Sequence, residues 1–362
     1  MLSILKILKK HQDEKKEKDS VGNPAVSGGA TPIGAPPGAV DLTQSAIDNV
    51  SIFSVVNKDL SQEKFERVKE LYNQLLDWAR KVYKLEFVLA ADFKKQFSEI
   101  IEKELAAINS DSQELLQLCL ADYVNNEDAL CHHVVNVSIL SLEMGRGLGY
   151  QKQQLLELGV ASFMHDIGSI KYLELINKSG KLTDEEFRKV KDHPLNGLEI
   201  LSKIGGEFIP GLIDVISQEH ERLDGSGYPK GLRGDEIKEY AQIVGLVDVY
   251  EAMTHLRPYR LRFSPPKTMN TILNKKNAFS TKVLKVFLEK IGIFPVGTMV
   301  RLNTKEVGAV YQENQGLPLR PKVLVTIDEN GNKLVSPKQI DLSSNLLVCI
   351  EECLDVSGDK AA

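Results

Sequence analysis

The chain has 362 residues, 42% of them hydrophobic and 26% charged, with a formal net charge of −5. That length allows roughly two domains with a sizeable core, and the acidic balance argues against general binding to a nucleic-acid polymer, so an anionic ligand requires a local cluster of Lys and Arg. Cys119, Cys131, Cys349 and Cys353 form no CxxC pair and no disulfide framework, and no apolar run approaches the roughly 20 residues of a membrane span, which predicts a chain without a transmembrane segment working in a reducing cytoplasm.

The opening MLSILKILKK is apolar and basic but lacks the layout of a signal peptide, and a frayed terminus is expected. Residues 11–20 are a charge run, and 21–40 are rich in Gly, Pro and Ala without an apolar period. Residues 1–40 are therefore expected to be a disordered N-terminal segment and linker. From 41 to 109 the pattern is helical. Phe65, Val68, Leu71, Tyr72, Leu75 and Leu76 fall at steps of three and four, and a second amphipathic stretch runs from Ala91 to Ala107. This module carries no chemical motif, so packing, dimerisation (a homodimer) or partner docking is its expected role.

Residues 110–293 continue as helices. Ser110-Asp-Ser-Gln reads as a helix start. Leu155, Leu156, Leu158, Val160 and Phe163 build an apolar helix that ends at His165-Asp166. Thr183-Asp-Glu-Glu186 is a capping-box pattern, so a helix should begin there. Residues 211–220 and 239–256 are again helical in period. After Pro295 the segments GTMVRL, GAVYQ and KVLVTI are short and β-rich, with Asp328-Glu-Asn-Gly331 reading as a hairpin turn. The fold class expected is an all-α domain with an N-terminal helical module and a small β-rich C-terminal extension over 294–362.

The chain has seven histidines. Four of them, with two aspartates, form an ordered series: His133, His165-Asp166, His193, His220 and Asp248. From His165 onward the gaps each match one helix-loop-helix unit, a spacing that can bring one ligand per helix to a shared centre. The carboxylate of Asp166 can bridge two cations where the imidazole of His165 binds one, and the mixture of imidazole and carboxylate suits Fe, Mn, Zn or Ni. His132 and His133 are adjacent and only one can face a given point; His133 is chosen because Val137 falls one helical turn on. A lone histidine on an apolar helix is usually a core or surface residue, and His11 and His255 are read that way.

Around these residues lie longer blocks. His165-Asp-Ile-Gly168 is followed by His193-Pro194 and Gly197, then by Glu219-His-Glu-Arg-Leu-Asp-Gly-Ser-Gly-Tyr-Pro229, then by Asp248-Val-Tyr-Glu-Ala-Met-Thr-His-Leu-Arg-Pro-Tyr-Arg260. In this order the blocks resemble the HD-GYP family over residues 110–290, and the tail from Phe294 to Leu342 resembles the tail of many members. The resemblance implies an HD-superfamily helical fold, two divalent metal ions, Fe or Mn, and cyclic di-GMP as substrate, cleaved to pGpG or GMP. It implies that His165 and Asp166 are the catalytic pair. It further implies that His133, His165, Asp166 and Asp248 hold one metal, and Asp166, His193, Glu219 and His220 the other. Two cations can activate a shared hydroxide and clamp a phosphodiester. Gly227, Tyr228, Pro229, Arg257 and Arg260 are the implied substrate-binding residues: Tyr228 can stack on or hydrogen-bond to a guanine, and the arginines suit bidentate phosphate contacts. The GYP loop is also the implied docking surface for a diguanylate cyclase (GGDEF) or another signalling protein.

Two positions depart from the family. Glu219 stands where a histidine is usual, which should make the centre harder and more anionic. Ser169 stands where a lysine is usual, and loss of that cation should remove roughly 2–4 kcal/mol of transition-state stabilisation. The position of a third-metal carboxylate is Ala129, with Glu127 and Asp128 its nearest carboxylates. Ser169 and Glu219 together support an alternative: a catalytically impaired member acting as a cyclic di-GMP receptor or scaffold.

Overall fold

The structure, a computed structural model, describes residues 60–85, 93–120, 128–204, 210–255, 262–314 and 316–354. The expected linker over 1–40, the start of the N-terminal module, and the candidate residues Glu127, Arg257 and Arg260 lie outside the described residues.

Eleven α-helices precede the strands among the described residues: α1 (Leu60–Tyr83), α2 (Phe93–Leu120), α3 (Ala129–Gly147), α4 (Lys152–Phe163), α5 (Leu173–Ile176), α6 (Asp184–Val190), α7 (His193–Ile204), α8 (Pro210–Gln218), α9 (Glu239–Thr254), α10 (Pro265–Asn274) and α11 (Thr281–Lys290). A 3-10 turn, Ile167–Tyr172, follows α4. The sequence explains two of the starts. Thr183 and Glu186 cap each other: Thr183 Oγ1 accepts the Glu186 N–H at 3.2 Å, and Glu186 Oε2 accepts the Thr183 N–H at 2.7 Å. Helix α10 begins on Pro265, where a missing N–H does no harm.

Helices α3 and α9 form the middle of the bundle. Both are buried over most of their length and apolar on several faces, as a central helix must be. One hydrophobic core runs from Val68 on α1 to Ile291 just beyond α11, so α1 and α2 pack into the same core as the helices that carry the histidines. A boundary between two helical segments falls at Ser110–Asp111, where a helix start is expected. Helix α2 passes through it with non-helical backbone at Asp111 (φ −140°, ψ 37°). The buried Asp111 carboxylate there receives the Arg67 guanidinium at 2.7 and 2.8 Å, which ties the junction of the two segments to α1. No helix among the described residues is long and apolar enough to cross a membrane.

The C-terminal part is a five-stranded antiparallel sheet in the order β4-β3-β2-β1-β5, with β1 Met299–Leu302, β2 Val307–Gln312, β3 Lys322–Ile327, β4 Lys333–Asp341 and β5 Ile350–Cys353. The three segments expected from sequence are β1 to β3. The turn after β3 is held by Asp328 Oδ1, which accepts the N–H groups of Asn330 and Asn332 at 2.9 and 2.7 Å, with Gly331 at φ 84°.

Candidate metal centre

Each histidine of the series is delivered by a different local device. His133 lies on the buried α3 and Asp248 on the buried α9. His165 and Asp166 sit where α4 has ended at Phe163 and the 3-10 turn has not begun, so the pair projects from a helix end. His193 opens α7. Gly168 explains its closeness: a Cβ there would lie 1.9 Å from the His193 carbonyl oxygen and 2.5 Å from the Gly197 nitrogen. Only glycine lets α7 lean onto the turn that carries Asp166. Glu219 and His220 follow the end of α8.

These residues converge. Ligand atoms of His133, His165 and Asp248 lie within 4.8 Å of one another, and so do those of His193, Glu219 and His220; all six residues are buried. Asp166 Oδ1 is 3.5 Å from His193 Nε2, and Glu219 reaches both groups, 3.7 Å from His165 Nε2 and 3.5 Å from His193 Nε2. His220 Nδ1 is 3.7 Å from Asp248 Oδ2. Asp128 is turned away into a pair with Arg80 at 2.8 Å.

The outer contacts orient the rings. His165 Nδ1 donates to the Ser162 carbonyl at 2.6 Å and His193 Nδ1 to the Val190 carbonyl at 2.9 Å, which leaves each Nε2 lone pair facing the centre. His133 Nδ1 is bonded to Glu251 Oε2. Burial pushes the His165 imidazole down to about 4 and lowers His193 and His220 as well, so these rings are neutral near pH 7. Burial also pushes Asp166 up, but the imidazoles of His193, His165 and His133 outweigh it and hold the carboxyl below its ordinary value. Glu219 goes the other way: burial, then the nearby Asp166 and Asp248, raise it well above the carboxylate range.

This donor set fits divalent cations. Both Glu219 oxygens, His165 Nε2 and His220 Nδ1 are buried without a hydrogen-bond partner. His193 Nε2 and His220 Nε2 face each other at 3.0 Å, an approach that only a shared proton or a cation makes favourable. Buried polar atoms left this way are destabilising by about 1–3 kcal/mol each unless something binds them.

The GYP loop is built around Glu221, whose buried carboxylate accepts the N–H groups of Lys230 (2.7 Å), Gly231 (3.1 Å) and Leu232 (2.9 Å). Gly227 has no room for a side chain, since a Cβ would lie 2.4 Å from Glu221 Cα. Tyr228, before the half-exposed Pro229, is expected to stack on or hydrogen-bond to a guanine. Its ring is buried and stacked on His220 at 4.7 Å between centroids, with the Lys191 ammonium 5.1 Å from its centroid. One face of the ring is thus taken by a candidate ligand. Ser169, in the place of the usual lysine, donates its hydroxyl to Asp166 Oδ1. Lys171 does not replace that lysine; it points to the surface and pairs with Glu199 at 2.6 Å.

Three contributors escaped the sequence reading: Glu221, Glu251 and Asn136. Glu251 had a signal, because it lies three residues after Asp248 and so shares its helix face. His255 caps the same region, donating from Nδ1 to the Glu251 carbonyl at 2.9 Å.

A helical bundle that gathers a His, a His-Asp pair, a His, a Glu-His pair and an Asp from separate elements defines a class of metal-site protein. The chain belongs to the HD domain family, whose model matches residues 95–280, and residues 299–361 match a KOW domain associated with the HD domain. It is similar to the cyclic di-GMP phosphodiesterase PA4108 of Pseudomonas aeruginosa, 30% identical over 68% of this chain and 59% of that protein. It is also similar to a cyclic di-GMP phosphodiesterase of Thermotoga maritima, 27% identical over 68% of this chain and 62% of that protein. The chain thus spans about three fifths of each of these relatives. Among solved structures, Bd1817, a HDG"Y"P protein from Bdellovibrio bacteriovorus, shares the fold with a TM-score of 0.53 at 18% identity, covering 64% of this chain and 73% of that one.

Proposed function

We propose that the chain is a metal-dependent phosphodiesterase that hydrolyses cyclic di-GMP to pGpG or GMP. The observation that carries this reading is the pair of buried ligand groups, His133/His165/Asp248 and His193/Glu219/His220, with Asp166 beside the second. The two divalent cations we assign there, Fe or Mn, supply charge neutralisation and an activated water for attack on a phosphodiester when bound.

The chain's own residues do the rest. The Nδ1–H bonds of His165 and His193 to backbone carbonyls keep both rings aimed inward. Asp166 stays ionised among the imidazoles and can bridge the two halves of the site. Glu219, whose proton burial and the nearby carboxylates retain, would give it up on binding a cation and so offer an anionic donor in place of a neutral one, which favours Mn or Fe. We assign Arg257 and Arg260 to the substrate phosphates. Asp224, Ser226 and Lys230 are exposed on the GYP loop, and this is where a diguanylate cyclase would dock.

The test is purified protein loaded with Mn(II) or Fe(II), incubated with cyclic di-GMP and resolved by chromatography. Turnover lost in His165→Ala is the expected result. Tight binding of cyclic di-GMP without turnover by the wild type would replace this reading with that of a receptor.

A further inference from the structure

Helix α1 precedes the region matched by the HD domain model, yet a hydrogen-bond chain runs from it to His133. Tyr72 donates its hydroxyl to Asn136 Oδ1 at 2.7 Å, Asn136 Nδ2 donates to Glu251 Oε1 at 3.1 Å, and Glu251 Oε2 is bonded to His133 Nδ1. The outer end is His132, whose Nδ1 is 3.2 Å from the Tyr72 oxygen. All four inner members are buried: Tyr72 at 7% exposure, and Asn136, Glu251 and His133 at 0%.

The donors and acceptors run in one sense. Tyr72 occupies the Asn136 oxygen, so the Asn136 amide nitrogen is the end left to face Glu251. A reversed amide would set its oxygen against the Glu251 carboxylate. The carboxylate, held on Oε1 by Asn136, then presents Oε2 to the ring N–H of His133. A carboxylate on the far nitrogen of a ligating histidine fixes its tautomer and raises its basicity, and such chains are strengthened in a low-dielectric interior. His132 and Asn136 are one helical turn apart on α3, which lets one hydroxyl from α1 bridge both.

We infer that Tyr72 is a positioning residue of the metal centre, acting on His133 through Asn136 and Glu251, so that α1 completes the site. The inference rests on the reading of His133 as a metal ligand. It also gives the N-terminal helix a role beyond packing: a change in the seating of α1 would be felt at one half of the centre.

The experiment is Mn(II) titration of the full chain, followed by the electron paramagnetic resonance signal of free Mn(II), for wild type, Tyr72→Phe, Asn136→Ala, the double variant and His133→Ala, with thermal unfolding of each. Tyr72→Phe keeps the ring and removes only the hydroxyl. It is expected to weaken Mn(II) binding about fivefold, below the roughly 10–100-fold typical of a direct partner of a ligand. In the Asn136→Ala background, where the chain is already cut, the same change should have no further effect. Unchanged affinity in Tyr72→Phe, with or without a lower unfolding temperature, overturns the inference, as does an equal loss in both backgrounds. Full loss in His133→Ala beside an unaltered Tyr72→Phe overturns it alone. Wild-type affinity in His133→Ala overturns the ligand reading and the inference together.

Discussion

Glu104 sets a pH dependence of stability that can be worked out in advance. It lies on α2 at 0% exposure, and neither carboxylate oxygen has a hydrogen-bond partner. Burial raises its pKa to about 8, with a small opposing effect from the Ser138 hydroxyl. The unfolded value is near 4.5. A raised carboxyl binds its proton more tightly in the folded state, so its contribution is complete below about pH 4.5 and is lost as pH rises toward about 8. Within that window the slope is about −1.4 kcal/mol per pH unit. Between pH 5.5 and 7.5, wild type should therefore lose roughly 3 kcal/mol through this residue alone. Glu104→Gln keeps the shape and does not titrate. Its absolute stability is set by a buried amide, so the quantity to compare is the slope. Urea unfolding of both proteins at pH 5.5, 6.5 and 7.5 and equal metal concentration supplies it. Other titrating groups are common to both and cancel in the difference. Parallel pH profiles would refute the reasoning, because they would mean that Glu104 is solvated or ionised in the folded chain.

Two further changes probe the centre itself. Ser169→Lys should raise turnover of cyclic di-GMP tenfold or more, a part of the roughly 2–4 kcal/mol that a charged oxyanion contact supplies; steady-state rates that stay level would show that the missing cation is not limiting. Glu219→His exchanges an anionic donor for a neutral one and should shift preference from Mn(II) toward Zn(II) in competition binding. Metal analysis that finds the same content and preference in both proteins would remove Glu219 from the ligand set.

Much of this molecule was legible along the chain. The capping box at Thr183–Glu186 is local chemistry between residues three apart, and it formed as read. The strands β1 to β3 carry apolar residues into a small core and announce themselves by composition. Strand β4 did not. Its sequence KLVSPKQID is mostly solvated and carries Pro337, which only a sheet edge tolerates, and edge strands lack the buried face that makes a strand visible. The separation of 41–109 from the rest was read from a lack of motifs, whereas α1 and α2 share the core of the helices that follow.

The same division holds at the centre. The order and identity of His133, His165-Asp166, His193, His220 and Asp248 were set by the sequence, because motif spacing is a one-dimensional property. Tertiary structure alone decided what stands behind and beside them. Glu251 reaches His133 across more than a hundred residues of chain, Asn136 holds the other oxygen of Glu251, and Tyr228 lies flat on His220. Such contacts depend on how helices far apart in sequence are seated against one another. That seating is fixed by burial of the shared core and by close approaches such as that of His193 to Gly168, which leave no periodic trace for a reader of the chain.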